Sequence, residues 1–178
     1  MRCSVVLTVG AGMLCLGGCL GGGARVQTAS APSSAVVVSP VMLSAAAYVA
    51  TASSIDLFQM RSAELALQRA QDPSNRVFAE RMINAHRGTS AQLSMAGRRL
   101  NLLPSGTLSP EHQAMLDALA ATSDFDSTYR AQQRIVIEEG VNLHGSFADS
   151  GSSPTLKPVA ENAEAVMRAN LQALRAGQ

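Results

Sequence analysis

The sequence predicts an all-α protein: an antiparallel bundle of four long helices, with one short helix between the second and the third. Apolar residues recur at steps of three and four along four long segments, which is the spacing of one helix face. The composition agrees with this prediction. Hydrophobic residues make up 47% of the chain and aromatic residues only 3%, whereas sandwiches and barrels are usually rich in β-branched and aromatic residues.

The first two long helices are predicted on either side of the dipeptide Asp72-Pro73. The first runs from about Leu43 to Gln71, and the second ends near Asn101. Asp72 is the expected N-cap of the second helix and Pro73 its first residue. A connection this short makes the two helices antiparallel neighbours. Their predicted core faces are Ile55, Phe58, Ser62 and Leu65, then Phe78, Met82, Ala85, Thr89, Leu93, Ala96 and Leu100.

The short helix is predicted to start at Pro110, with Ser109 as its cap, and to end near Ala121. The third long helix follows a cap at Asp124 or Ser123. Its predicted face is Phe125, Tyr129, Gln132, Val136, Gly140, Leu143 and Phe147. The last helix is expected to open at Ser153-Pro154. Its face is Leu156, Val159, Ala163, Val166, Asn170 and Leu174.

Residues 1–18 have the pattern of a lipoprotein signal peptide. Arg2 supplies a positive charge, an apolar run follows, and the run ends in Leu16-Gly17-Gly18-Cys19. This ending resembles the lipobox of bacterial lipoproteins, in which the thiol of the cysteine accepts a diacylglycerol and cleavage occurs before it. The sequence therefore predicts lipidation of Cys19. An ordinary secretory signal is the alternative.

Residues 19–40 are rich in Gly, Ser, Ala and Pro and form the predicted lipidated tether of a bundle domain at residues 41–176. Acyl chains on Cys19 would make the membrane a partner of the chain. By resemblance to lipoproteins, Leu20 in place of an Asp after the cysteine predicts the outer membrane, facing the periplasm. A second membrane segment at Ala35 to Ala52 is a weaker alternative, because Pro40 and several hydroxyl residues interrupt it.

The charge and cysteine content narrow the class of protein further. Fourteen basic residues against thirteen acidic ones give no basic surface for nucleic acid. All three cysteines, Cys3, Cys15 and Cys19, lie within the first 19 residues. The bundle domain therefore has no cysteine for a disulfide or for nucleophilic catalysis.

Several segments in order resemble the family called domain of unknown function 4142, a ferritin-like bacterial envelope family. They are Leu65 to Ala70, Phe78 to Met82, His86, Phe125-Asp126 with Tyr129, Gly151, and Leu156 with Ala160. The resemblance covers about residues 46–174. It implies a signal or lipoprotein leader, a periplasmic location and a ferritin-like four-helix bundle, and it implies no established reaction.

Ferritin-like bundles hold two iron atoms with glutamates and Glu-x-x-His pairs, and no Glu-x-x-His occurs in this sequence. The resemblance also implies inward polar positions, and the chain departs from them: Gln59 stands where an acid is usual, Ala85 where an Asp is usual, and Ile137 and Asn170 where a His is common. Gln59, His86 and Asn170 remain as a possible degenerate inward site. His112 is expected to be solvated and His144 to lie at a surface or edge.

No catalytic residue, metal ligand or cofactor is predicted from the sequence. The main functional prediction is a non-enzymatic lipoprotein on the periplasmic side of the outer membrane, which acts through its surface on an unidentified envelope protein in envelope maintenance or stress response. The alternative is a ferritin-like metal-binding or redox protein with a degenerate site around His86.

Overall fold

The computed structural model describes residues 42–177. They form five helices: α1 (Ala45–Arg69), α2 (Pro73–Arg99), α3 (Pro110–Ala121), α4 (Phe125–Ser150) and α5 (Lys157–Ala176). No strand occurs within this range. The predicted bundle of four long helices with a short helix between the second and third is confirmed. The predicted signal peptide and tether lie in residues 1–40, outside the described residues.

Polar side chains cap the helices where the sequence predicts helix starts. The Asp72 carboxylate accepts the N–H of Ser74 at 2.8 Å, and the Ser109 hydroxyl accepts the N–H of His112 at 3.2 Å. Each cap satisfies one of the N–H groups that a helix start leaves without an intrahelical partner. The predicted caps of α2 and α3 are therefore confirmed.

The start of α5 differs from its prediction. The sequence places it at Ser153-Pro154, whereas the helix begins at Lys157. The N–H groups of Leu156 and Lys157 both donate to the Ser153 carbonyl at 3.1 Å, so a turn precedes the helix. Pro158 then lies in the first helical turn, where its missing N–H leaves no intrahelical bond unmade.

Contacts between helices show how the bundle is connected. Tyr48 of α1 meets His144 of α4, and Ser62 meets Gln133, so α1 and α4 are antiparallel. Because α1 and α2 are also antiparallel, α2 and α4 run in the same direction. The segment between them, which contains α3, must therefore return along the length of α1. One long crossover of this kind is the ferritin-like arrangement.

The core has two apolar clusters along the bundle. One contains Ile83 of α2 and Ile137 of α4, and the other contains Leu93 and Phe147 of the same two helices. Between these clusters lie polar residues: His86 and Thr89 on α2, and His144 on α4. No helix within residues 42–177 combines the length and hydropathy that crossing a bilayer requires.

Candidate functional site

A buried carboxylate on α1 is the centre of the polar region between the two apolar clusters. Asp56 is 3% exposed. Its Oδ1 accepts hydrogen bonds from His86 Nδ1 at 2.7 Å and from the Thr89 hydroxyl at 2.8 Å. Its Oδ2 accepts from the Ser90 hydroxyl at 3.0 Å. A charge without partners would be very unfavourable in this interior, so these three donors from α2 are what allow Asp56 to lie there.

His86 is fully buried, and only one of its two ring nitrogens has a partner. Because an ionised carboxylate can only accept, the hydrogen between His86 and Asp56 belongs to Nδ1. The Nε2 atom has no hydrogen-bond partner within residues 42–177. In the neutral ring this nitrogen is a lone-pair donor directed into the interior.

His144 of α4 is arranged in the same way. It is 2% exposed, its Nδ1 lies 3.0 Å from the Tyr48 hydroxyl, and its Nε2 has no partner in the part of the chain that the structure describes. Tyr48 is itself fixed by stacking on Phe147, with ring centroids 4.0 Å apart. The bundle therefore contains two buried imidazoles, each held through Nδ1 and each with a free Nε2.

The charge state of His144 follows from its surroundings. Burial lowers the pKa of His144 to about 4, with the His86 imidazole acting in the same direction and the carboxylates of Asp56 and Glu164 acting against it. At neutral pH the ring is therefore uncharged, which is the form that binds metals. Both histidines contact α1, His86 through Asp56 and His144 through Tyr48. Burial likewise raises the pKa of Tyr48, so its hydroxyl keeps its proton.

The three residues of the predicted inward site are all buried: Gln59 and His86 at 0% and Asn170 at 1% exposure. No hydrogen bond joins them to one another. Asn170 accepts from Arg81 Nε at 2.9 Å, whereas neither amide atom of Gln59 has a partner. His86 therefore pairs with Asp56, which the sequence analysis did not single out, and with neither of its predicted companions.

Two expectations about histidines are wrong. His144, expected at a surface or edge, is buried beside Tyr48, and His112, expected to be solvated, is 4% exposed. The His112 ring lies between Ser54 of α1 and Glu139 of α4, because α3 packs this side inward. The interior therefore holds more imidazole than the sequence analysis allowed.

The metal-binding capacity of the region is limited by its number of ligands. No group of three or more His, Cys, Asp or Glu side chains within residues 42–177 is placed to hold a metal ion. Asp56 is occupied by its three donors, so it supports His86 and is not itself a free ligand. Among the imidazoles of the described residues, the nitrogens that remain without a partner are Nε2 of His86 and Nε2 of His144.

The fold and the site together define a ferritin-like helical bundle with a buried acid–imidazole cluster. The chain belongs to the family described as "Domain of unknown function (DUF4142)", whose model matches residues 27–176. The family predicted from the sequence is thus confirmed. Comparison with curated proteins finds no match.

Three solved structures share the fold. CopM in its Cu(II)-bound form is 16% identical with a TM-score of 0.64, covering 76% of this chain and 95% of that chain. A DUF305 fragment from Deinococcus radiodurans is 16% identical with a TM-score of 0.63, covering 74% and 92%. CopM in its Cu(I)-bound form is 17% identical with a TM-score of 0.62, covering 74% and 92%. At these identities the similarity concerns the fold.

Proposed function

We propose that this chain is a metal-binding lipoprotein of the bacterial envelope, and that its bundle binds one transition-metal ion between His86 and His144. The observation that carries the proposal is the pair of free, buried Nε2 atoms. A buried nitrogen without a partner is unfavourable, and a metal ion bound to both atoms would remove that cost at two positions at once.

The groups behind each imidazole support this assignment. Metal-binding histidines usually donate their second ring N–H to a carboxylate or another oxygen, which fixes the tautomer and the ring orientation. Asp56 has this relation to His86 at 2.7 Å. The Tyr48 oxygen lies 3.0 Å from His144 Nδ1, and it accepts the hydrogen bond in the tautomer whose Nδ1 carries the hydrogen. Both Nε2 atoms then carry a lone pair free for metal binding.

The chemistry of two imidazoles favours copper. Imidazole suits zinc, copper, iron and nickel, and among divalent ions Cu(II) binds a given site most tightly. CopM, which shares the fold, has been solved with Cu(II) and with Cu(I). The buried Met167 places its thioether against Gly140, one helical turn before His144, and a thioether is a ligand that prefers Cu(I).

Metal titration of the purified full-length chain tests this function. Apo protein is titrated with Cu(I) under anaerobic conditions, with Cu(II) and with Zn(II), and stoichiometry and melting temperature are measured. We expect one copper ion per chain. At free copper about 100 times Kd, unfolding becomes less favourable by about 2.7 kcal/mol, which raises Tm by roughly 8–13 °C.

Variants at the two histidines distinguish this site from adventitious binding. His86→Gln keeps a donor for Asp56, and His144→Gln keeps a partner for Tyr48, so both should fold and both should lose the stoichiometric copper ion. Tyr129→Phe is a matched control: it removes another buried atom without a partner from α4 and should bind copper normally. Full copper binding by either glutamine variant would refute the proposal.

The location is proposed from the leader sequence, which lies outside the described residues. The arginine, apolar run and Leu-Gly-Gly-Cys order at residues 2–19 support a lipidated Cys19 and an outer-membrane anchor facing the periplasm. Cys19→Ser should release the chain from the membrane fraction and leave its melting temperature unchanged. A Cys19→Ser protein that still pellets with membranes would contradict the anchor.

A role confined to the bundle surface has less support. Exposed large apolar side chains are Met42, Leu67, Val77, Met95, Leu103 and Ile135, and they are distributed over the stretch before α1, over α1, α2 and α4, and over one loop. Nothing about them specifies an envelope protein partner. The buried imidazole pair is the more specific feature, so metal binding is preferred to the surface role predicted from the sequence.

A further inference from the structure

A second polar cluster lines a surface pocket of about 320 Å³ formed by α1, α3, α4 and the loop before α3. At its wall, Ser54 Oγ lies 2.7 Å from His112 Nδ1. The other ring nitrogen, His112 Nε2, lies 3.1 Å from the Glu139 carboxylate. His112 is nearly fully buried, and the Phe58 ring packs against it at 5.4 Å, so its orientation is fixed.

The partners of His112 decide how its protons are arranged. Because the Glu139 carboxylate can only accept, His112 Nε2 carries the hydrogen and donates it. His112 Nδ1 is then an acceptor, and the Ser54 hydroxyl donates its proton to it. A serine hydroxyl bonded to an imidazole that is oriented by a carboxylate is the arrangement of an activated nucleophile, which is recognised by geometry and not by chain order.

We propose that Ser54 is a catalytic nucleophile with His112 as its general base and Glu139 as a positioning residue, and that this pocket hydrolyses short esters of neutral alcohols. The Gly-x-Ser-x-Gly motif of many hydrolases depends on a strand-to-helix turn. Ser54 lies within α1, so a search for that motif does not find it. This site is independent of the proposed metal site.

The reaction needs only the ester and water. Ser54 Oγ bonds to the carbonyl carbon while its proton moves to His112 Nδ1. The bond from that carbon to the alcohol oxygen then breaks, and His112 returns the proton to the leaving alcohol. Water next attacks the acyl carbon with His112 accepting its proton, which releases the carboxylic acid and restores the Ser54 hydroxyl.

A backbone donor is placed beside the reacting oxygen. The N–H of Ser109 donates to Ser54 Oγ at 2.8 Å. In the tetrahedral intermediate the negative oxygen is attached to the carbon bonded to Oγ, so this N–H lies close to it. Ser109 is also the N-cap of α3, and the partial positive charge of a helix start favours a negative charge there.

The lining of the pocket indicates the class of ester. Hydroxyls of Thr51, Ser105 and Thr107 line it, together with the carboxylates of Glu111 and Glu139. The carboxylates disfavour anionic substrates, and the hydroxyls can hydrogen-bond a hydroxylated alcohol. The volume accommodates a short acyl group, so acetyl esters of small neutral polyols are the expected substrates.

Hydrolysis of glycerol triacetate and p-nitrophenyl acetate by the metal-free full-length chain tests the proposal. General base catalysis alone contributes about 10²–10⁴-fold, so Ser54→Ala, which also removes the nucleophile, should lose at least about 100-fold in rate. Ser62→Ala is the matched control, because it removes a buried, hydrogen-bonded serine two turns further along α1. Glu139→Gln should lower kcat and leave KM unchanged.

A fluorophosphonate probe on the unmodified protein gives a result that does not depend on how the variants fold. We expect one probe per chain, located at Ser54 by peptide mass spectrometry. Absence of labelling, labelling at another residue, or equal hydrolysis by Ser54→Ala and Ser62→Ala would each overturn the proposal. Metal titration of the same preparations is scored separately, so either site can fail without the other.

Discussion

Asp56→Ala is expected to lower the stability of the bundle strongly. The carboxylate accepts three hydrogen bonds from α2, and two of the donors, His86 Nδ1 and the Thr89 hydroxyl, belong to buried side chains. The third donor, Ser90, is half-buried and can turn towards water. A buried donor left without a partner costs about 1–3 kcal/mol.

Two such donors place the loss for Asp56→Ala at about 2–6 kcal/mol. Urea denaturation followed by circular dichroism measures it. With a slope of about 2 kcal/mol per molar, typical for small proteins, the midpoint should fall by roughly 1–3 M. Asp149→Ala on the exposed end of α4 is the control and should change stability by no more than about 0.5 kcal/mol.

The same residue links stability to metal binding. Asp56→Asn keeps one acceptor oxygen, so it should destabilise the bundle less than Asp56→Ala. It should nevertheless weaken copper binding by about 10–100-fold, the usual effect of changing a group that orients a metal-binding histidine. A surface substitution changes the free energy of unfolding by no more than about 0.5 kcal/mol. If Asp56→Ala has an effect this small, the buried acid–imidazole cluster is not a stabilising unit and the reasoning fails.

Two further predictions concern glycines and acid stability. Gly88→Ala should stabilise the chain by about 1 kcal/mol, because Gly88 is exposed in α2 with open space around it. Gly97→Ala should destabilise the chain, because the new Cβ would overlap the Leu102 carbonyl oxygen. Thermal melting of the two variants measures both effects. Burial would raise the pKa of Asp126, but hydrogen bonds from the Asn75 amide and two backbone N–H groups hold it below its usual 3.8. The stability that Asp126 contributes is therefore present above about pH 4 and is lost as the pH falls through the lowered pKa. Asp126→Asn should reduce the loss of the urea midpoint in acid. An unchanged pH dependence of the midpoint would contradict this prediction.

The fold could be predicted from the sequence because local signals agree with the global arrangement. Asp72-Pro73 and Ser109-Pro110 mark helix starts with chemistry that has few alternatives. The repeated steps of three and four then identify faces that are indeed buried, such as Phe78 and Met82. The start of α5 was missed because Ser153-Pro154 resembles a cap, while Pro158 fits a first turn equally well.

The candidate site could not be predicted because the helical period leaves a choice at each step. From Met82 to Thr89, the intermediate core position can be Ala85 or His86, since both give steps of three and four. The apolar choice was taken there, and the buried residue is His86.

The same ambiguity recurs on α4. From Gly140 to Phe147 the intermediate position can be Leu143 or His144, and the buried residue is again the histidine. Only three-dimensional packing decides between neighbours that differ by one position, about 100° around the helix. Asp56 is marked as part of the cluster by its three donors on α2, which only the fold brings to it.

X-ray absorption spectroscopy of the copper-loaded full-length chain is the most direct test of the central claim, that two buried imidazoles bind one metal ion. The account predicts two imidazole nitrogens per copper in the unsubstituted protein, and loss of the bound copper from the His86→Gln and His144→Gln proteins. A copper site without imidazole scattering, or an unaltered spectrum in either variant, would contradict it.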